Sequence, residues 1–114
     1  MLPARFRLSG SDTVGRVFRQ GVFDTSGPFG FKWITGKSGE TSRIGILAGK
    51  KLFPTATARN HAKRMAREAT RPFLAQLKPG YDILILYRYR PERFILEENI
   101  KHIGAFFHRR NLLK

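Results

Sequence analysis

With 114 residues, the chain is long enough for one compact domain and little more. Lysine and arginine number 22 against 8 acidic residues, giving a formal net charge of +14 and a pI of about 11.3. That balance points to an anionic partner: nucleic acid first, then an acidic protein or an anionic membrane surface. A hydrophobic content of 41% with 10 phenylalanines excludes a disordered basic tail, and the absence of cysteine excludes disulfides, thiol chemistry and thiolate metal ligation.

Residues 1–10 read as a basic, extended arm ending at Ser9-Gly10. Its charges at Arg5 and Arg7 interrupt any run of signal-peptide or membrane-span length, so the sequence predicts a soluble, cytoplasmic protein with no membrane partner. Ser11 is placed to cap a helix over 12–19, with Val14, Val17 and Phe18 inward, Arg16 and Arg19 outward, and Gly21 as its stop. Over 22–35, Phe29, Phe31 and Trp33 alternate with Pro28, Gly30 and Lys32, the period of a strand, and Phe23 belongs to a short strand before it. Residues 35–40 form a hairpin-like loop. Its Gly36-Lys37-Ser38 is no phosphate loop, because the earlier glycine that the motif needs is missing and no helix follows.

A second strand spans 43–49, and Pro54 and Thr55 then punctuate the chain. A helix over about 56–76 follows, with Thr55 or Thr57 as its cap and Ala62, Met65, Ala66, Ala69, Phe73 and Leu77 as one apolar face. Arg59, Lys63 and Arg67 form a positive ridge beside that face, widened by Asn60, Arg64 and Arg71 and offset by Glu68 alone. Residues 81–87 are apolar at nearly every position, as in a covered central strand. A basic turn over 88–91 leads to a last helix, about 92–110, marked by Leu96, Ile100, Ile103 and Phe107. The order α-β-β(-β)-α-β-α predicts an α/β (α+β) two-layer sandwich: one domain over 1–114, with a small mixed sheet packed with three helices. The general rule makes its β-α-β crossover right-handed.

No catalytic constellation is visible. His61, His102 and His108 are not at metal spacing, Asp12, Asp24 and Asp82 are scattered, and adjacent Glu97 and Glu98 point apart on a helix. Any reaction therefore draws its catalytic groups from elsewhere. What the chain offers is a ridge whose charges repel until an anion neutralises them. Phe29, Phe31 and Trp33 have two readings: core against the helices, or, with Phe18 or Phe23, a groove that stacks on unpaired nucleotides.

The run Ala56-Thr-Ala-Arg59-Asn60-His61-Ala62-Lys63-Arg64-Met-Ala-Arg67-Glu68 resembles the signature of the protein subunit of bacterial ribonuclease P. Arg43-Ile-Gly-Ile leading to Lys50-Lys51, Gly80-Tyr-Asp-Ile-Leu-Ile, Phe6-Arg7-Leu8, Val17-Phe18-Arg19-Gln20-Gly21 and Leu96-Glu97-Glu98 agree in order, so the resemblance covers essentially residues 5–112. It implies a non-catalytic subunit that helps a catalytic RNA, which holds the Mg2+ ions, to remove the 5′ leader of precursor tRNA. The implied partners are ribonuclease P RNA and precursor tRNA, with no DNA. The implied RNA-binding residues are Arg59, Asn60, His61, Lys63, Arg64 and Arg67 with Lys50 and Lys51; the implied leader groove takes Phe18, Phe29, Phe31 and Trp33. His61 stands where the family normally has arginine, so it lacks the guanidinium fork, and Leu47-Ala48-Gly49 replaces the usual small polar run. The resemblance also implies a left-handed crossover, against the general rule. The other reading is a small basic ribosomal or RNA-chaperone-like module without a role in cleavage; it fits the charge and size but not the ordered motifs.

Overall fold

The computed structural model describes residues 2–36 and 40–114; Lys37, Ser38 and Gly39, most of the expected 35–40 loop, lie outside them. Helix α1 spans Ser11–Gln20. Its cap is Gly10, whose φ of 93° a side chain would resist, and Ser11 is already helical. Gly21 ends it as expected, donating its N–H to Val17 O at 2.8 Å. Strands β1 (Val22–Ser26) and β2 (Phe29–Thr35) form a hairpin, followed by β3 (Arg43–Leu47), helix α2 (Ala56–Thr70), β4 (Tyr81–Tyr87) and helix α3 (Leu96–Arg109). The β1–β2 turn requires glycine twice over: Gly27 has φ 57°, and a Cβ there would lie 2.5 Å from the His102 ring.

The sheet order is β1-β2-β4-β3, with β4 antiparallel to β2 and parallel to β3. The expected small mixed sheet packed with three helices is therefore present, with the apolar strand at 81–87 in its interior. One face carries Phe29, Phe31, Trp33, Ile44, Ile83 and Ile85 into the main core, where Ala62, Ala66 and Ala69 of α2 and Ile103, Phe106 and Phe107 of α3 meet them. The small alanines allow α2 to lie close to the sheet, and the Phe31 and Phe106 rings stack at 3.9 Å and 5°. Across the other face, α1 covers only part of the sheet, through Val17 against Leu8 and Leu84 with Val14, Ile34 and Leu47 alongside.

Strand β3 stops at Leu47, short of the expected 49, and three further expectations move, each for a local reason. The helix expected over 56–76 is α-helical only to Thr70, because Pro72 has no N–H and crowds the preceding turn; the chain continues as a 3-10 helix over Arg71–Gln76. The last helix starts at Leu96, since Ile95 is extended (φ −112°, ψ 112°) and Phe94 is drawn onto Phe53 and Tyr87. Residues 2–10 do not run as an extended arm. Leu2, Phe6 and Leu8 bury their side chains while Arg5, Arg7 and Ser9 stay exposed, a 3-10 turn spans Ala4–Phe6, and Leu8 N–H bonds Ile44 O at 2.9 Å beside β3. Among the described residues no helix is long and apolar enough to cross a membrane.

Candidate nucleic-acid interface

Helix α2 starts where Thr55 Oγ1 accepts the Ala58 N–H at 3.1 Å, an N-cap that sets the rotation of everything after it. That rotation divides the basic signature. Asn60, His61 and Arg64 are exposed on the crest and, with Thr57 and Arg67, line a shallow groove of about 470 Å³. His61 leans edge-on against Phe94, with ring centroids 5.0 Å apart, and its Nδ1 is 3.4 Å from Arg64 Nη2. The imidazole thus steadies Arg64. Lys63 and Arg67 lie half-buried on the flank that turns towards the sheet. Arg67 also reaches a second cavity formed with Arg7, Ser9 and Ile44, and its buried Nε has no partner among the described residues.

Arg59 differs from its neighbours. Its Nη1 donates to Phe53 O at 3.0 Å and to Pro54 O at 3.1 Å, so the guanidinium folds back onto the chain before α2. Lys50 and Lys51 are exposed in that same connection. Arg59 therefore holds the segment that presents the two lysines.

The expected aromatic groove is corrected by burial. Phe29 and Phe31 are 0% exposed and Trp33 is 9% exposed, all within the core that α2 and α3 cover, so no nucleotide reaches Phe29 or Phe31 while those helices are packed. Of the four, only Phe18 is open, at 48%. The available aromatic surface lies on the opposite side of β2. There Lys32 Nζ donates to Phe18 O at 2.7 Å, sits 4.0 Å from the Phe18 ring centroid and 6.0 Å from that of Phe23, itself 51% exposed. Gly30 keeps this face low, since a Cβ there would meet Phe23 at 3.2 Å and Leu86 at 3.1 Å. Lys32 and Gly30 were legible as the other half of the alternation at 29–33, and Phe23 as the aromatic residue facing them across the hairpin.

Three of the acids, Asp24, Glu68 and Asp82, are committed to ion pairs within the fold. Asp82, 3% exposed, takes two bonds of 2.9 Å from Arg43 on the neighbouring strand; these hold the Arg43 pKa above its ordinary value. Asp24 Oδ2 receives Arg109 at 3.0 Å and Arg110 at 2.9 Å, fastening the end of α3 to β1. Burial disfavours the Asp24 carboxylate, but hydrogen bonds from Arg110, the Thr25 N–H and Arg109 outweigh it and lower its pKa. Glu68 meets Arg71 at 3.5 Å, as its setting among arginines implied. Among the described residues no three His, Asp or Glu side chains gather as a metal-holding group.

The comparisons with known proteins agree with one another. The model of the family described as Ribonuclease P matches residues 2–111. The ribonuclease P protein component of a Pseudanabaena strain is 32% identical over 108 residues, covering 92% of this chain and 93% of its own length. That of a Synechocystis strain is 31% identical over 85 residues, covering 75% and 68%. The fold matches the solved RNase P protein of Staphylococcus aureus (TM-score 0.80, 19% identity, 96% of this chain and 98% of that one) and that of Thermotoga maritima (TM-score 0.78, 24% identity, 90% and 96%). On the family match, the relatives and the fold, this chain belongs to the bacterial ribonuclease P protein family.

Proposed function

We propose that the chain serves ribonuclease P through two surfaces: the crest of α2 docks on the catalytic RNA, and the open sheet face beside α1 takes the single-stranded 5′ leader of precursor tRNA. As a member of this family the chain is the non-catalytic protein component of the enzyme and assists RNA-based removal of the leader. Magnesium, in this reading, is held mainly by the RNA, and no step runs through an ion on the protein. The observation that carries the assignment is charge without counter-charge. Lys50, Lys51, Lys63 and Arg64 make no ion pair among the described residues, while Asp24, Glu68 and Asp82 are engaged elsewhere. Phosphates supply the missing charge, and released counterions drive the binding. On the second surface, exposed Phe18 and Phe23 flank a lysine, the combination that stacks on bases and neutralises their backbone.

The test compares cleavage of a precursor tRNA by bacterial ribonuclease P RNA alone, by this protein alone and by the two together at low millimolar magnesium. Cleavage strongly raised by adding the protein to the RNA is expected. Cleavage by the protein alone, or no effect of the protein in the mixture, overturns the reading. Lys32→Ala separates the surfaces: it is expected to weaken binding of the precursor and leave mature tRNA unaffected. Equal loss for both would remove the leader from the sheet face.

A further inference from the structure

A cavity of about 270 Å³ opens at the amino end of α3, where the basic turn after β4 meets the β1–β2 turn. Neither surface proposed above uses it. Its lining includes Tyr89, Glu92, Arg93, Glu98 and Asn99. Three features are odd for a structural gap. Asn99 is 4% exposed, and its Nδ2 donor has no partner among the described residues, an arrangement that costs stability. Glu92 and Glu98 make no ion pair among the described residues, in a chain with 22 basic residues. Tyr89 is 47% exposed, with the Arg88 guanidinium 5.5 Å from its ring centroid.

Together these are an amide donor looking for an acceptor, carboxylates looking for N–H donors, a ring able to stack, and arginines able to meet phosphate. We propose that this cavity binds one guanine base of single-stranded RNA, and this rests on the leader-binding reading above. Guanine presents O6 as an acceptor beside N1–H and N2–H2 as adjacent donors, so one edge meets the Asn99 amide and a wall carboxylate at once. Adenine and cytosine turn a ring-nitrogen lone pair towards the carboxylate. Uracil offers it a single N–H, flanked by carbonyl oxygens. The size of the cavity suits a single base. Its position continues the leader track: Pro28 lines it, the Arg88 N–H donates to Pro28 O at 2.8 Å, and Pro28 stands four residues before Lys32, about 13 Å along an extended strand.

The test uses the complex of this chain with bacterial ribonuclease P RNA and precursor tRNAs whose leaders are all uridine except for one guanosine, walked upstream. Affinity is measured at matched salt, with adenosine and inosine in the same positions. One upstream guanosine is expected to tighten binding about tenfold over adenosine, and inosine, lacking the N2 amino group, to recover only part of that gain. Both Glu92→Gln/Glu98→Gln and Asn99→Leu are expected to abolish the difference while leaving affinity for the all-uridine leader unchanged. Asn99→Leu is expected to keep or raise the melting temperature, because it removes an unmet donor. No guanosine preference at any position, or one that survives both variants, overturns the proposal. So does tight binding of an arginine-rich peptide that Glu92→Gln/Glu98→Gln removes, which would make the cavity a protein contact. If the preference is absent while Lys32→Ala still weakens precursor binding, only the guanine site fails; if no leader affects affinity, the leader-binding reading fails with it.

Discussion

At the scale of single residues, the molecule separates groups that look alike in the sequence. Phe31 and Lys32 are neighbours with opposite fates: one stacks on Phe106 in the core, the other lies between exposed rings. Phe31→Ala is expected to cost about 3–5 kcal/mol, lowering the melting temperature together with every RNA affinity. A fall in precursor affinity alone, at unchanged stability, would return Phe31 to the groove. The sequence could place Phe29, Phe31 and Trp33 on one face because side chains alternate along a strand. It could not say which face, since both faces of the sheet carry helices and the choice lies in how α3 folds back. Arg59 is a second such case. Spacing puts it in line with Lys63 and Arg67, yet its Nη1 is spent on Phe53 and Pro54 carbonyls. Arg59→Ala is expected to speed hydrogen exchange at the Phe53 amide, which bonds Gly49 O at 2.9 Å, and Arg64→Ala to leave it unchanged. Equal exchange in both variants would make Arg59 a plain surface cation.

At the scale of elements, two polar ties decide how the helices sit on the sheet. Tyr87 on β4 donates its buried hydroxyl to Ala62 O of α2 at 2.8 Å, and burial pushes that phenol's pKa upwards. Tyr87→Phe is expected to lose about 1 kcal/mol in denaturant unfolding with little change in packing. Asp24 ties α3 to β1. Its folded-state pKa lies below its ordinary value of 3.8, so the stability it adds is present above that value and lost as pH falls through the lower folded value. Asp24→Asn is expected to be less stable than the parent at neutral pH and to approach it in acid; a constant gap across that range would show the carboxylate charge to be irrelevant. These ties were invisible beforehand, because Asp24 and Arg109 are 85 positions apart and only the completed hairpin brings them together. By contrast, the Thr55 cap, the strand periods and the order of elements are local and were legible; the first helix's cap fell one residue earlier than expected, on Gly10, and Pro72 and Phe94 moved two helix ends.

At the scale of the whole molecule, a net charge of +14 makes RNA affinity a steep function of ionic strength. Arg64→Ala is expected to flatten the dependence of log binding constant on log salt by about one unit, with the melting temperature nearly unchanged. An unaltered slope would take Arg64 off the phosphate backbone. The sheet order β1-β2-β4-β3 has one more consequence, for a chain made from its amino end. The strand that joins the hairpin to β3 is β4, Tyr81–Tyr87, and it emerges after both. Until the ribosome has released it, β2 and β3 share no neighbour, α2 has no finished sheet to rest on, and the Phe29 and Phe31 rings are bare. A nascent chain stalled at residue 80 therefore holds its basic helix without a domain beneath it, and competence to enter the ribonucleoprotein arrives abruptly, once β4 has emerged.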